Sequence, residues 1–529
     1  MRLLSFIFIS FMCLFSGCSK NDETLGDALN AKTLTLLHTN DLHSHFLPTD
    51  HAYQNCEKSI ETCLGGYGRI KSIVDTVRSE NDNVIFLDAG DRFSGTIFYT
   101  MRKSQDLTEL TQRLEYDAMT LGNHEFDDGI GELKKFTQGI SAPIVSANVS
   151  FPPQEELKNR IKPSVILERN GLKIGIIGAL SEDTIRESAQ ANQINITPVI
   201  PAVQAEVKKM TEQGVTVLIA LTHIGIDADK KLAEAVPQLD IIVGAHTHTL
   251  LSNDKSIPEV HGDYPMVIEH DNQTKTLIVT VGQAGRYIGL LKTSFDKNGK
   301  IISYRGDAIA VDKKFTMDDK IANKIKDIQN QISILTDKIL MTSPNVISMT
   351  KNQNYCSEAC YVGEVLTDAL WSAFGRENAD VVLLNSGGIR TSLPLNITLG
   401  RLANAYPFDS TAVLVHMSGK QLKNYIEQGL RKYRSDERVN AFLQIGGGSY
   451  NFSEKTKTIS ELKISGQPIQ YDKIYRVILP SFLANGGDGF SKQKKSFETN
   501  LMIREMISTY WQNSSYQIVP FEKRIQKQP

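Results

Sequence analysis

From residue 33 onward the chain repeats one local design, a short apolar run that stops in polar residues and often beside a glycine. TLTLLHTN (33–40), NVIFLDAGD (83–91), AMTLGNHE (118–125), LKIGIIGAL (172–180), VTVLIALTHIG (215–225) and LDIIVGAHTH (239–248) all carry it. Such runs read as β-strands, and between several of them lie stretches with apolar residues at helical spacing. GRIKSIVDTVRSEN (68–81) and IPAVQAEVKKMTEQG (200–214) are two of these. Strands alternating with helices predict an α/β domain. TLIVTVGQAGRYIGLLKTSFD (276–296) then reads as antiparallel strands closing that domain. MDDKIANKIKDIQNQISILTDKI (317–339) fits one long amphipathic helix linking it to a second, α+β unit.

At 529 residues the chain has room for more than one domain with its own core. The balance of 58 Lys+Arg against 60 Asp+Glu excludes a strongly basic binder of nucleic-acid polymers, and 41% apolar content excludes a mostly disordered chain. Histidine is uneven, with ten of the 11 at or before His270. Residues 3–17, behind Arg2, form an apolar run too short to span a bilayer and suited to a signal-peptide core. Its end, Leu14-Phe15-Ser16-Gly17-Cys18, resembles a bacterial lipobox, which would make Cys18 the lipidated first residue of the mature chain. The expected order is a signal peptide (1–17), a lipidated tether (18–31) and then the folded domains. Export implies an oxidising compartment, where Cys56 with Cys63 and Cys356 with Cys360 read as local disulfides. A zinc ribbon is the rival reading, though neither pair has the two-residue spacing of a zinc knuckle.

The strand ends carry the chemistry. They deliver Asp41 and His43; Asp88 and Asp91; Asn123, His124 and Asp127; His223; and His246 and His248. In α/β sheets the loops beyond the strand ends converge on one crevice, so these groups should meet at one sheet edge. Each alone could be a turn or capping residue, whereas a structural protein has no reason to aim so many imidazoles and carboxylates together. Nitrogen and oxygen ligands without thiolate suit Zn²⁺, Mn²⁺ or Fe, and their number is enough for two metals sharing a carboxylate.

The ordered set DLH, GD, GNHEFD, TH and GAHTH resembles the calcineurin-like metallophosphoesterases. With the C-terminal motifs NSGGIR, PFDST and NGGDGF it resembles the 5′-nucleotidase / UDP-sugar hydrolase family over nearly the whole mature chain. The resemblance implies an α/β/β/α sandwich-type metallophosphoesterase domain (32–316), a linker helix (317–340) and a smaller α+β nucleotide-specificity domain (341–525). It implies two divalent metal ions, Zn or Mn first, with Mg, Co and Fe as further candidates. Asp41, His43, Asp91 and His248 would hold one, and Asp91, Asn123, His223 and His246 the other. His248 departs from the amide that many relatives carry. His124 would face the phosphate, with Asp127 on its other nitrogen favouring the cationic ring.

In the second unit the resemblance maps Phe408 and Phe482 onto an aromatic pair that sandwiches a nucleobase, Asp488 onto a carboxylate for ribose hydroxyls, and Asn385 and Arg390 onto groups near the substrate. Relatives usually place Arg near the segment here written NYCSEACYVG, which has none, and Ser410 stands where some use Asn or Gly. The cysteine pairs also sit where animal ecto-5′-nucleotidases have local disulfides. The implied activity is an exported, lipid-anchored hydrolase of nucleoside 5′-monophosphates, with ATP, ADP and UDP-sugars as further candidates. A 2′,3′-cyclic phosphodiesterase/3′-nucleotidase is the enzymatic alternative, against which Asp127 speaks, since those relatives tend to read NHEFN. A non-catalytic nucleotide-binding surface lipoprotein is the alternative from another class.

Overall fold

The computed structural model describes residues 31–528 apart from 51–54, 57–61, 189–190, 258, 272, 350–355, 357–358, 409, 433–440 and 514–517. The leader and Cys18 lie outside the described residues. Among the described residues no helix is long and apolar enough to cross a membrane.

The first half contains β1 (Lys32–Thr39), β2 (Val84–Asp88), β3 (Ala118–Thr120), β4 (Ile144–Val145) and β5 (Ile161–Lys162). They are followed by β6 (Ser164–Arg169), β7 (Leu172–Leu180), β8 (Val217–His223), β9 (Ile241–Val243), β10 (Met266–Glu269), β11 (Lys275–Val279), β12 (Tyr287–Phe295) and β13 (Ile301–Ala310). They form two sheets, in the orders β13-β12-β1-β2-β3-β4-β5 and β10-β11-β9-β8-β7-β6. The central strands of each run parallel, β1 to β5 in one and β7, β8, β9 and β11 in the other.

The side-chain alternation of strands explains the layering. On β1, Leu34 and Leu36 join Ile174, Ile176, Ile219 and Val279 in a core between the sheets, while Leu37 turns to the opposite face. That outer face is covered by α1 (Tyr67–Glu80), α3 (Ser104–Leu114) and α4 (Gly129–Gln138), with the short α2 (Ile97–Arg102) lying before α3. The outer face of the second sheet is covered by α5 (Val199–Glu212) and α6 (Ile226–Ala235). The result is the expected α/β/β/α sandwich. One detail differs from the sequence expectation. The antiparallel strands of residues 276–296 do not lie side by side: β11 pairs antiparallel with β10 and parallel with β9 in the second sheet, whereas β12 pairs antiparallel with β1 and β13 in the first. The turn between them carries the chain from one sheet to the other.

The helix α7 (Asp319–Thr336) begins where the Asp318 carboxylate accepts the Ile321 amide hydrogen. Ile321, Ile325, Ile328 and Ile332 form one buried seam against the first domain's helical layer, each worth roughly 1.5–3 kcal/mol of burial. The helix therefore belongs to the first domain's packing and also meets the second domain, where Gly400 packs so tightly on Thr336 that a side chain there would press on the Thr336 Cβ and carbonyl.

Beyond it come α8 (Tyr361–Phe374), β14 (Val381–Asn385), α9 (Leu399–Ala405), β15 (Thr411–Ser418), α10 (Gly419–Leu430), β16 (Leu443–Gly446), β17 (Ile474–Pro480), β18 (Lys495–Met502) and α11 (Ile503–Asn513). The five strands pair in the order β16-β14-β17-β15-β18. Val382 and Leu384 face α8 and α11, and Val381 and Leu383 face α10. Both cysteine pairs are disulfide-bonded.

Candidate active site

The chemistry-bearing loops leave two sheets, not the single edge expected. Asp41, His43, Asp91 and Asn123 follow β1, β2 and β3 of the first, whereas His223 ends β8 and His246 and His248 follow β9 of the second. The site lies where the C-terminal edges of the two parallel regions meet. The loops turn sharply there. Asp41, His43, Asp91, His246 and His248 all have left-handed backbones, with φ of 51, 47, 56, 83 and 54°. Non-glycine residues in that region are strained, at a cost of about 1–3 kcal/mol each, and persist only where their surroundings over-determine them.

The surroundings do so through buried polar groups that the sequence reading left without a role. The Glu125 carboxylate accepts the amide hydrogens of Asp91 at 3.0 Å, Arg92 at 2.7 Å and Phe93 at 3.2 Å. Arg92 is fully buried, paired with Asp88, and donates to the Thr120 carbonyl at 2.6 Å. Asn40 donates to Asp41 Oδ2 at 2.7 Å and to the Gly282 carbonyl at 2.6 Å, and accepts the Val281 amide at 2.9 Å, tying β1 to the second sheet. Gly122 packs so closely on the Asp91 carboxylate that no Cβ would fit. Both Glu125 and Asn40 stand beside expected site residues, Glu125 within NHEFD and Asn40 before Asp41, but nothing in their spacing announces the distant groups that they serve.

These loops bring every expected metal-side residue together. His43 Nε2 lies 3.2 Å from His248 Nε2 and 3.7 Å from Asp91 Oδ2, while its Nδ1 donates to the Phe93 carbonyl at 3.3 Å. Asp41 Oδ1 lies 3.4 Å from His248 Nε2 and 4.0 Å from His223 Nε2. His223 Nδ1 donates to the Ala89 carbonyl at 2.8 Å, which aims Nε2 at Asp91 Oδ2, 3.2 Å away. That Nε2 is buried and makes no well-directed hydrogen bond. His246 Nδ1 lies 3.1 Å from Asn123 Oδ1. Donor groups such as Asp41 with His43 and His248, and Asp41 with Asp91 and His223, converge closely enough to hold an ion.

The charges are arranged for cations. Burial alone would raise both carboxyls, yet the imidazoles around Asp41 and Asp91 hold them below the usual carboxylate range. Conversely, the His223 ring is held up to about 10 by Asp91 and Asp41 against its own desolvation. Two buried carboxylates thus require compensating positive charge, and the orphaned His223 Nε2 shows one position where a metal would supply it. Nitrogen and oxygen donors suit Zn²⁺ or Mn²⁺.

His124 stands at the rim. Its main-chain N–H donates to Asp91 Oδ1 at 3.0 Å, and its Nδ1 lies 2.7 Å from Asp127 Oδ2, which also accepts from Ser94 Oγ at 2.6 Å. Burial would lower its pKa, but Asp127 and Asp91 hold it up to about 9, so the ring is cationic at neutral pH.

A cleft of about 490 Å³ runs from these residues into the second domain. Its wall there includes Asn385, Arg390, Phe408, Phe482 and Asp488, the five residues expected from the sequence. Asn385 Nδ2 donates to Asp488 Oδ2 at 2.8 Å. The Phe408 ring lies 5.6 Å from the His124 ring, with the two planes 25° apart, and 5.0 Å from the Arg390 guanidinium. Among the unassigned histidines, His38 is buried against the Tyr264 hydroxyl at 3.0 Å and held down to about 3 by burial, so it serves the core.

In sequence and fold the chain is similar to known proteins. A model of calcineurin-like phosphoesterases matches residues 34–250, and a model of the 5′-nucleotidase C-terminal domain matches residues 339–495. The 5′-nucleotidase of Mus musculus is 32% identical over 495 residues, covering 88% of this chain and 85% of its own. An apyrase of Tabanus yao is 31% identical over 521 residues, covering 93% of each. The crystal structure of a 5′-nucleotidase precursor from Thermus thermophilus superposes with a TM-score of 0.85 at 28% identity, over 94% of this chain and all of that one.

Proposed function

The chain belongs to the 5′-nucleotidase family, a calcineurin-like metallophosphoesterase with the family's C-terminal domain, and from that premise we propose how its residues hydrolyse nucleoside 5′-monophosphates. The family implies divalent metal ions. Asp41, His43, Asp91 and His248 are suited to hold one, and Asp91, Asn123, His223 and His246 a second, with Zn or Mn the best match to the donor set. Bound there, such ions lower the pKa of the attacking water and neutralise phosphate charge.

The protein's own groups do the rest. Cationic His124, fixed by Asp127, donates toward the ester oxygen that leaves as the bond to phosphorus breaks. Arg390 supplies a fixed guanidinium for phosphate oxygens, and Phe408 and Phe482 offer faces for a base, a contact worth about 1–3 kcal/mol. Asp488, oriented by Asn385, accepts from ribose hydroxyls. The observation that carries this reading is the single cleft lined by both the His124–Asp127 pair and the aromatic wall of the other domain.

Side-by-side phosphate release from AMP, 3′-AMP and 2′,3′-cyclic AMP, with and without EDTA, tests it. AMP should be the preferred substrate, with turnover abolished by chelation and restored by Zn²⁺ or Mn²⁺. Preference for the 3′ or cyclic ester would favour the alternative enzyme, and no release at all would favour a binding protein. The similarity to an apyrase supports ATP and ADP as further substrates. Export with a lipid on Cys18 accords with the leader and the two disulfides.

A further inference from the structure

The loop after α9 carries Phe408 into the cleft, and it is held by Arg504 and Ile503 of α11 and by Thr100 of α2, the last of which also lines the cleft. Buried Arg504, in the first turn of α11, donates through one guanidinium nitrogen to the carbonyls of Tyr406 at 3.3 Å and Pro407 at 3.0 Å. The next residue back, Ile503, donates its amide to the Ser410 carbonyl at 2.9 Å. From the catalytic domain, Thr100 Oγ1 shares its one proton between the Pro407 carbonyl at 3.2 Å and the Thr96 carbonyl at 3.3 Å, and the Ile97 amide donates to Asn404 Oδ1 at 3.1 Å. The Pro407 carbonyl is therefore shared between α2 of one domain and α11 of the other.

Without these bonds a Pro-Phe turn at a cleft would be free to swing. With them, the Phe408 ring is held beside His124 and Arg390, the two cationic groups assigned to the phosphate. We propose that Arg504 is a positioning residue for nucleotide selectivity: it fixes the Tyr406-Pro407 carbonyls and thereby places Phe408 for the base. This rests on the reading that Phe408 stacks on the base. Arg504 acts through a backbone, so it should matter for substrates that carry a base and be silent for those that do not. Thr100 makes the same bond from the opposite domain and should act in the same sense, more weakly, because its donor is neutral.

The test compares AMP with p-nitrophenyl phosphate, which has no nucleobase, in the full-length metal-loaded enzyme. Arg504→Gln should raise the KM for AMP about tenfold, the scale of one charge-assisted hydrogen bond, with kcat/KM for p-nitrophenyl phosphate unchanged. Thr100→Val should raise the same KM by about threefold. Phe408→Ala should raise it as well, and adding Arg504→Gln to Phe408→Ala should then cost little more, since both remove one interaction. Equal losses on both substrates in Arg504→Gln, or full additivity with Phe408→Ala, would overturn the proposal and leave Arg504 a purely structural residue. An unchanged AMP KM in Phe408→Ala would overturn it at its premise, whereas a KM raised by Phe408→Ala but not by the Arg504 or Thr100 variants would overturn the inference alone. Should Arg504→Gln fail to fold, Thr100→Val and its cycle with Phe408→Ala decide the matter.

Discussion

His124 contributes to the site through two separable groups, its backbone and its ring. The backbone N–H holds Asp91 Oδ1, and a substitution leaves that bond in place. The ring, cationic through Asp127 and Asp91, is what an alanine removes. His124→Ala should therefore keep the metal complement, measured by elemental analysis, while kcat for AMP falls by about 10²–10⁴, the range of general acid catalysis. Asp127→Asn should fall by less, because the amide still holds Ser94 and the ring. A normal kcat in His124→Ala would remove the ring from the mechanism. The same scale shows what sequence could convey. Asp127 was legible because it lies three positions after His124 at the start of a helical turn. Glu125, one residue away, was not, since its work is to collect the amides of residues 91–93, and no spacing rule announces which distant loop a buried carboxylate will serve.

At the level of elements, α6 shows how a helix can brace two metal-side strands. Its Asp229 is fully buried, accepts from Thr222 Oγ1 at 2.6 Å and sets its second oxygen, which has no hydrogen-bond partner, against Gly244. Thr222 precedes His223 and Gly244 lies two residues before His246, so one carboxyl wedges both loops. Burial pushes this carboxyl up to about 7. The folded state then keeps a proton that the unfolded chain releases near the ordinary value of 3.8. Stability must fall as pH rises between these values and level off above the folded one. Asp229→Asn cannot titrate and should lack this slope, so its melting temperature should gain on the parent's from pH 4.5 to 7.5. The full difference is on the order of 4 kcal/mol by linkage. Thermal melts in EDTA check this without interference from bound metal, and parallel curves for the two proteins would refute it. Helix α7 makes a complementary point about legibility. Its period was readable, but an amphipathic stripe does not say which partner it meets, and all four isoleucines turned out to lie in the first domain's core, which also takes in Ala403 of the second.

For the molecule as a whole, the two-sheet construction is what one-dimensional reading misses most easily. A run such as 276–296 reads as neighbouring antiparallel strands because its two apolar stretches are close in sequence, yet its halves serve opposite sheets, and only the shared inter-sheet core explains why. The expected division between a metal-bearing half and a specificity half rested on ten of the 11 histidines lying at or before His270, and residues of both halves line one cleft. It has a measurable consequence. Phe482, Asn385 and Asp488 draw their positions from the second domain, where the Asn385–Asp488 hydrogen bond involves no metal-side residue. Removing metal should therefore cost the phosphate its grip and the reaction its water, while the nucleoside half of the cleft stays formed. Adenosine should bind the EDTA-treated protein with a Kd within about twofold of the metal-loaded value, whereas AMP should weaken by about tenfold or more, since only AMP places charge beside the metals. Calorimetric titration of both ligands into both forms distinguishes the cases. Loss of adenosine binding on chelation would mean that the metal-side loops also shape the base pocket, and that the two halves of the chain do not divide their labour in this way.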